Sequence, residues 1–284
     1  MLDFDAKRAG APPKDAATLV IVRDGRQDGL EVFCVERNKA SRFMGGAIVF
    51  PGGKLDPSDA DGWDGLVDGA IPASFGNDAA HANALAIAAC RESLEEAAIL
   101  PVSGGTIGSD DLKVVRSALK ERPDAMRTFL RERGLRLDVG ALVPFARWIT
   151  PIAESRRFDA RFFLVVAPEG QEGAHDEYET MASFWASPHE ILRRFEAKEV
   201  QLMPPTHRTI EQLAAYTSAA EARGGQRNLA PVCPLLVQQK EGDIETLALA
   251  LPGDPEHDVK EVRVPGRSRY VLRGDRWRSE DAPR

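Results

Sequence analysis

Apolar positions along the chain follow two periods. Ala17 to Val22 and Leu30 to Glu36 run apolar or alternate, with Asp24-Gly25 and Asp28-Gly29 between them. That pattern predicts two strands joined by a turn. Ala47 to Phe50 is a further short strand that enters a Pro-Gly-Gly turn, and Arg37 to Gly46 before it is a basic, Gly-ended loop. Residues 54–78 keep no period and read as loop. Ala79 to Leu100 is Ala-rich, lacks Gly and Pro, and predicts a long helix capped by Asn77 or Asp78. Residues 110–134 predict one or two helices broken near Pro123. Phe145 to Thr150, Arg161 to Ala167 and Phe184 to Ser187 predict strands. Helices follow at Pro188 to Lys198 and from "PPTHRTIEQLAAY", the latter with Thr206 as cap. Short β-like runs, "LLVQQ", "TLALAL", "VKEVRV" and "SRYVLR", fill residues 231–273. No repeat of fixed period occurs. Mixed strands and helices predict an α/β or α+β sandwich.

Composition narrows the function classes. The 284 residues are 43% hydrophobic, enough for a substantial core, and carry a net charge of −7. No basic run supplies an electrostatic footprint for nucleic acid, and no apolar stretch reaches membrane-spanning length. The first sixteen residues read as a polar arm with no apolar signal core, so a cytoplasmic protein is expected. Cys34, Cys90 and Cys233 are far apart and lack metal-ligand spacing, so free thiols are expected.

The chemistry concentrates in two stretches. "PGGKLDPSDADGW" begins as a phosphate-handling turn after a strand, then dissolves into an Asp- and Gly-rich run. "RESLEEAAIL" lies on the long helix, where Arg91, Glu92, Glu95 and Glu96 are three or four residues apart and share one face. Clustered carboxylates repel, and Arg91 offsets only part of that. Hard oxygen donors of this kind suit Mg²⁺ or Mn²⁺, which would bridge to a substrate diphosphate. An exposed charged helix face is the alternative. The Gly-Gly turn directly after an apolar strand favours the metal reading.

Together these stretches resemble the box of the Nudix hydrolases: Gly, five residues, Glu, seven residues, then Arg-Glu-apolar-x-Glu-Glu-x-Gly-apolar. Gly53 opens it and Asp59 falls at the first Glu. An uninterrupted box would place the Arg at position 67; it stands at Arg91, 24 residues later. Ser93 replaces an apolar residue, and Ala98 replaces the Gly. Because Ala enters a left-handed turn at a cost, the helix is expected to continue through Ile99 and Leu100. The interrupted box, with "WITPIAESRRFDARFFLVV", "FWASPHEIL" and "LMPPTHRTIEQL", is similar to the branch that contains the peroxisomal coenzyme A diphosphatases of animals. "VERNKASRFMGGAIVFPGG" resembles, more loosely, a segment associated with coenzyme A hydrolases. The resemblance covers roughly residues 17–215.

It implies an α/β/α Nudix sandwich with a mixed sheet and an insertion at about 57–80 that splits the box into 53–59 and 91–99; the β-like runs beyond the resemblance predict a β-containing extension over 216–284. The resemblance implies Glu95 and Glu96 as metal ligands, with Glu92 as a third ligand or as the base for the attacking water. Arg91 would orient a carboxylate, and Gly52 and Gly53 would let backbone approach metal or phosphate. Asp56 and Asp59 support the loop, bind a further ion through water, or are solvated acids. A late acid is expected before Trp185, from Glu177 or Glu179, with Glu179 favoured. Arg37, Arg42, Arg156 and Arg157 are candidate phosphate contacts. Phe43, Met44, Trp148 and "MPPT" form a candidate apolar wall. The implied activity is metal-dependent hydrolysis of a diphosphate in coenzyme A or acyl-coenzyme A. ADP-ribose or NADH is the alternative substrate, and a catalytically silent nucleotide-binding regulator the alternative class. The expected partner is a small-molecule nucleotide, with no nucleic acid and no membrane; a homodimer is left open. "DADGWDG" lacks the oxygen ligands of a calcium loop.

Overall fold

A computed structural model describes residues 10–25, 29–37, 46–174, 180–242 and 244–283. β1 (Lys14–Asp24) is the central strand, buried on both faces from Leu19 to Val22. It starts at Lys14, so the last residues of the expected polar arm belong to the sheet. β2 (Leu30–Arg37) returns antiparallel, β3 (Ala47–Val49) pairs with β2, and β4 (Gly52–Lys54) pairs with β1. The Gly-Gly turn is therefore itself a strand, with Ala17 opposite Gly53 and Thr18 opposite Gly52.

The chain next leaves the sheet through a tight turn at Pro57–Asp59, β5 (Val67–Asp68) and a second turn at Ala73–Phe75. This stretch was expected to be a loop. Instead Trp63, Leu66, Ile71 and Phe75 are buried in the core beneath the helix that follows, α1 (Ala79–Ala97). Arg127 pins the stretch from the far side, donating to the Ser58 carbonyl at 2.9 Å, and the Trp63 indole donates to the same oxygen at 2.9 Å. β6 (Val102–Ser103), α2 (Ser109–Leu119), α3 (Ala125–Glu132) and β7 (Arg136–Asp138) complete this layer, with β5 and β6 flanking β7.

Asp78 caps α1, accepting from the His81 amide at 2.8 Å. The helix does not run on to Leu100. It stops at Ala97, and Ala98 takes the left-handed conformation (φ 51°, ψ 42°). Ser93 explains the departure: its buried hydroxyl donates to the Ile99 carbonyl at 2.9 Å, fastening the reversed chain to the last turn. The reversal buries Ile99 and Leu100, a gain that offsets the αL cost of Ala98.

β8 (Val143–Ile149) and β9 (Phe158–Val166) return to the sheet, β9 running parallel to β1 from Lys14↔Phe158 to Val22↔Val166. β10 (Thr180–Ala186) pairs with β2; α4 (Pro188–Glu196), β11 (Gln201–Leu202), α5 (Pro204–Leu213) and α6 (Ala219–Gly224) follow. α5 starts at Pro204 with Met203 at its cap, ahead of the expected Thr206; proline fits a first turn that needs no amide donor. β12 (Leu235–Glu241), β13 (Ile244–Ala250), β14 (Arg269–Arg273) and β15 (Arg276–Glu280) form a separate antiparallel sheet. "VKEVRV" is not a strand, and β15 had no counterpart in the predicted elements.

Alternation along the strands divides the core. Leu19, Ile21, Phe33 and Val35 pack with α1, whereas Val20, Val22, Val32 and Cys34 pack with residues of α4, α5, α6 and the C-terminal sheet. The described residues thus form a mixed sheet covered on both faces. No helix among them is long and apolar enough to cross a membrane.

Candidate active site

A cleft of about 660 Å³ opens on the sheet face opposite α1, over Ala16 and Thr18 of β1 and Ala160 and Phe162 of β9. Glu92 and Glu96 nevertheless line it, because their helix passes beside β4. The two glycines make that approach possible. A Cβ on Gly53 would lie 2.3 Å from Glu92 Oε1, and one on Gly52 would lie 2.6 Å from the Ala17 carbonyl. Gly52 also donates its amide to Glu96 Oε2 at 3.0 Å. The split halves of the box are thereby joined by direct contact.

Arg91 organises the acids. It donates to both oxygens of Asp59, Nε to Oδ1 at 2.8 Å and Nη2 to Oδ2 at 3.0 Å, and also to the Lys54 carbonyl at 3.0 Å. Its Nη1 reaches Glu92 at 2.9 Å and Glu95 at 3.3 Å. Asp59 is only 1% exposed, so it is a structural anchor rather than a solvated acid. Asp56 holds the same turn, its carboxylate accepting from the Ser58 amide and its own amide donating to the Asp59 carboxylate. Burial disfavours the charge on Arg91, but Asp59, Glu92 and Glu95 more than offset it and keep the guanidinium protonated. Burial pushes the Glu92 carboxyl up to about 7; Arg91 opposes the shift, and the negative charge of Glu95 adds to it.

Glu95 is the expected ligand that is not part of the cleft lining; it lies against Arg91. No three His, Cys, Asp or Glu side chains among the described residues converge tightly enough to hold a metal by themselves. The donor chemistry still fits a hard divalent ion. Mg²⁺ commonly takes one or two carboxylates and completes its shell with water and substrate phosphate oxygens. Glu92 and Glu96 are two such carboxylates, facing the same cleft.

Of the candidate phosphate contacts, Arg37 and Arg156 line the cleft, joined by Lys54. Arg37 Nε is buried and lacks a hydrogen-bond partner among the described residues. Arg157 is used elsewhere: it donates to the Thr150 carbonyl at 3.1 Å and the Ala11 carbonyl at 2.7 Å, fastening the N-terminal segment. Arg42, Phe43, Met44, Glu177 and Glu179 lie outside the described residues. Trp148 and the Met203–Thr206 turn line the cleft as an apolar wall, with Pro234 and Leu249 from the C-terminal region. Glu154, a buried acid of the β8–β9 connection, also lines it. Sequence reading missed Glu154, Pro234 and Leu249, which carry no spacing signal. Cys34, Cys90 and Cys233 are free thiols, and burial pushes the Cys90 thiol up, away from nucleophile chemistry.

Comparison with known proteins identifies the family of the fold. The model of the NUDT19 Nudix domain family matches residues 72–213, half of the chain. A crystal structure of a Nudix hydrolase from Alicyclobacillus acidocaldarius is 33% identical, superposes with a TM-score of 0.66, and is covered over 97% of its length by 76% of this chain. The acyl-coenzyme A diphosphatase NUDT19 of Xenopus laevis is 26% identical over 275 residues, spanning 79% of this chain and 70% of the relative. Its human counterpart is 28% identical over 236 residues, spanning 68% of this chain and 63% of the relative. With a split box closed by Gly52, Gly53, Glu92 and Glu96, and a family match over half its length, the chain belongs to the Nudix hydrolases of the NUDT19 family.

Proposed function

We propose that the protein hydrolyses the diphosphate of coenzyme A or acyl-coenzyme A, releasing 3′,5′-ADP and a phosphopantetheine product. The observation that carries this reading is the shared cleft: Glu92 and Glu96 face the same space as Arg37, Lys54 and Arg156. Carboxylates for an ion and several cations for phosphate oxygens suit a substrate with a diphosphate and one further phosphate. The relatives named as acyl-coenzyme A diphosphatases support the same substrate class.

A divalent ion held by Glu92 and Glu96 would polarise a phosphoryl oxygen and neutralise charge on the leaving phosphate. The chain's own residues do the remaining work. Gly52 and Gly53 keep backbone close to the carboxylates. Arg91, itself fixed by Asp59, sets the orientation of Glu92. Arg37 and Arg156 bind phosphate oxygens and fix which phosphorus faces the attacking water. Glu92 either holds the ion or takes the proton of that water. The anhydride P–O bond breaks as the new one forms.

The test is a substrate panel with Mg²⁺, with Mn²⁺ and with chelator: coenzyme A, acyl-coenzyme A, 3′-dephospho-coenzyme A, ADP-ribose and NADH at equal concentration. Metal-dependent cleavage in which coenzyme A forms exceed the dephospho form is expected. Preference for ADP-ribose or NADH would remove the substrate assignment, and no cleavage of any would favour a silent binding protein.

A further inference from the structure

Charged and apolar side chains of the main-sheet elements line the cleft side by side, whereas α5 and the C-terminal region contribute only uncharged ones. The charged side chains that line it, Arg37, Lys54, Glu92, Glu96, Glu154 and Arg156, belong to β2, β4, α1 and the β8–β9 connection. The entry turn of α5 and the C-terminal region supply Met203, Pro204, Pro205, Thr206, Pro234 and Leu249, with no charge among them. Pro234 immediately precedes β12, and Leu249 lies on β13. Leu249 is opposite Tyr270 on β14, and both are buried against the core that covers this face of the main sheet. The C-terminal sheet is thus fixed on the cleft rather than appended at a distance. The cleft's roughly 660 Å³ also exceeds what a diphosphate alone would fill; volumes of this order hold a whole drug-sized ligand.

We infer that the C-terminal sheet is part of the substrate site, and that Leu249 and Met203 determine how bulky an uncharged arm beyond the diphosphate can be. This rests on the coenzyme A reading. Such a substrate is electrically lopsided, with a phosphorylated nucleoside on one side of the diphosphate and a neutral pantetheine arm, bare or acylated, on the other. The charged lining residues belong to elements of the main sheet and α1, and α5 and the C-terminal region add none, so a neutral arm is better accommodated over Met203 and Leu249 than a phosphate is. The phosphorylated nucleoside faces Arg37 and Arg156, and the neutral arm runs along the Met203–Leu249 wall. The reverse orientation would strip water from a phosphate with no compensating charge. An apolar wall reads size by exclusion: added volume at Leu249 or Met203 obstructs a long acyl chain before it obstructs a short one.

The experiment uses the full chain with Mg²⁺, comparing kcat/KM for coenzyme A, acetyl-coenzyme A and a long-chain acyl-coenzyme A in wild type, Leu249→Phe and Met203→Trp. Leu249 is buried and its enlargement risks the fold; Met203 is half-exposed at the cleft rim, so its variant keeps the test available. In both variants the ratio of long-chain acyl-coenzyme A to coenzyme A is expected to fall about tenfold or more, the scale at which apolar pockets discriminate size. An equal loss for all three, or no change in the ratio, overturns the inference while leaving coenzyme A as substrate. A wild type that cleaves none of the three overturns both the substrate reading and the inference.

Discussion

Asp59 and Arg91 meet through two parallel hydrogen bonds at 2.8 and 3.0 Å, although the inserted segment separates them in the chain. The side chains are 1% and 12% exposed, so the pair is desolvated. Replacing Asp59 with Asn leaves a buried guanidinium short of countercharge. Such a loss costs about 3 kcal/mol, read as a fall in the denaturant midpoint. Because the same guanidinium orients Glu92, kcat should drop as well, about 10- to 100-fold. Wild-type stability in Asp59→Asn would show that the pair carries no net energy.

Glu95 and Glu96 should separate in kinetics. Glu96 lines the cleft and is held by the Gly52 amide, whereas Glu95 lies against Arg91 outside it. Glu96→Gln should lower turnover by orders of magnitude, and Glu95→Gln by about tenfold, as for a residue behind a ligand. Equal losses at saturating Mg²⁺ would put Glu95 on the ion too.

Gly53→Ala should spare the fold and damage the site. The added methyl meets the end of the Glu92 side chain at 2.3 to 2.6 Å, and that end can swing away. A carboxylate displaced by about 1 Å costs on the order of 100-fold in rate. Gly52→Ala differs, since its methyl meets backbone of Ala17 and Thr18 at 2.6 and 2.8 Å. That variant should lose stability, and thermal melts of the two distinguish them.

Ala98→Gly should stabilise. A left-handed residue with a Cβ costs roughly 1 to 2 kcal/mol. Part of the relief is lost to chain entropy and to the buried methyl, leaving a net gain of about 0.5 to 1 kcal/mol. A small rise in Tm with unchanged kcat is expected; a fall would show that the methyl packs better than the turn is strained.

Stability of chelator-treated protein should depend on pH through Glu92. Its carboxyl binds a proton more tightly folded, at about 7, than its ordinary value of 4.5 allows. The contribution is fully present below about pH 4.5 and is lost as pH rises through about 7, a span worth about 3 kcal/mol at most. Comparing melts of wild type and Glu92→Gln at pH 5 and pH 8 isolates this residue. Wild type should lose more stability than the variant on going to pH 8. Parallel behaviour would mean that Glu92 is ionised in the folded metal-free protein.

Helical period made α1 and its acidic face legible, and strand alternation revealed β1, β2, β8 and β9. The path from Pro57 to Phe75 was not legible, because Trp63, Leu66, Ile71 and Phe75 enter the core from turns and keep no period. β4 escaped because two glycines have low strand propensity, and only pairing with β1 makes them a strand. Ala98 was misread because residue preference favours a continued helix, whereas the Ser93 hydroxyl and the burial of Ile99 and Leu100 decide the turn. Leu249 gave no signal at all, since its place at the cleft depends on how two sheets meet.

The parallel register of β1 with β9 bears on how the molecule is made. Two edges of β1 are filled by neighbours of very different arrival time: β2 and β4 emerge from the ribosome soon after it, and β9 only in the second half of synthesis. A chain halted before Phe158 leaves an apolar strand, Leu19 to Val22, with an open edge able to pair with another chain. The floor of the cleft, shared between Ala16, Thr18, Ala160 and Phe162, does not exist until that edge is closed. Substrate therefore meets no partly built site, and a truncated product is an aggregation hazard rather than a weak enzyme.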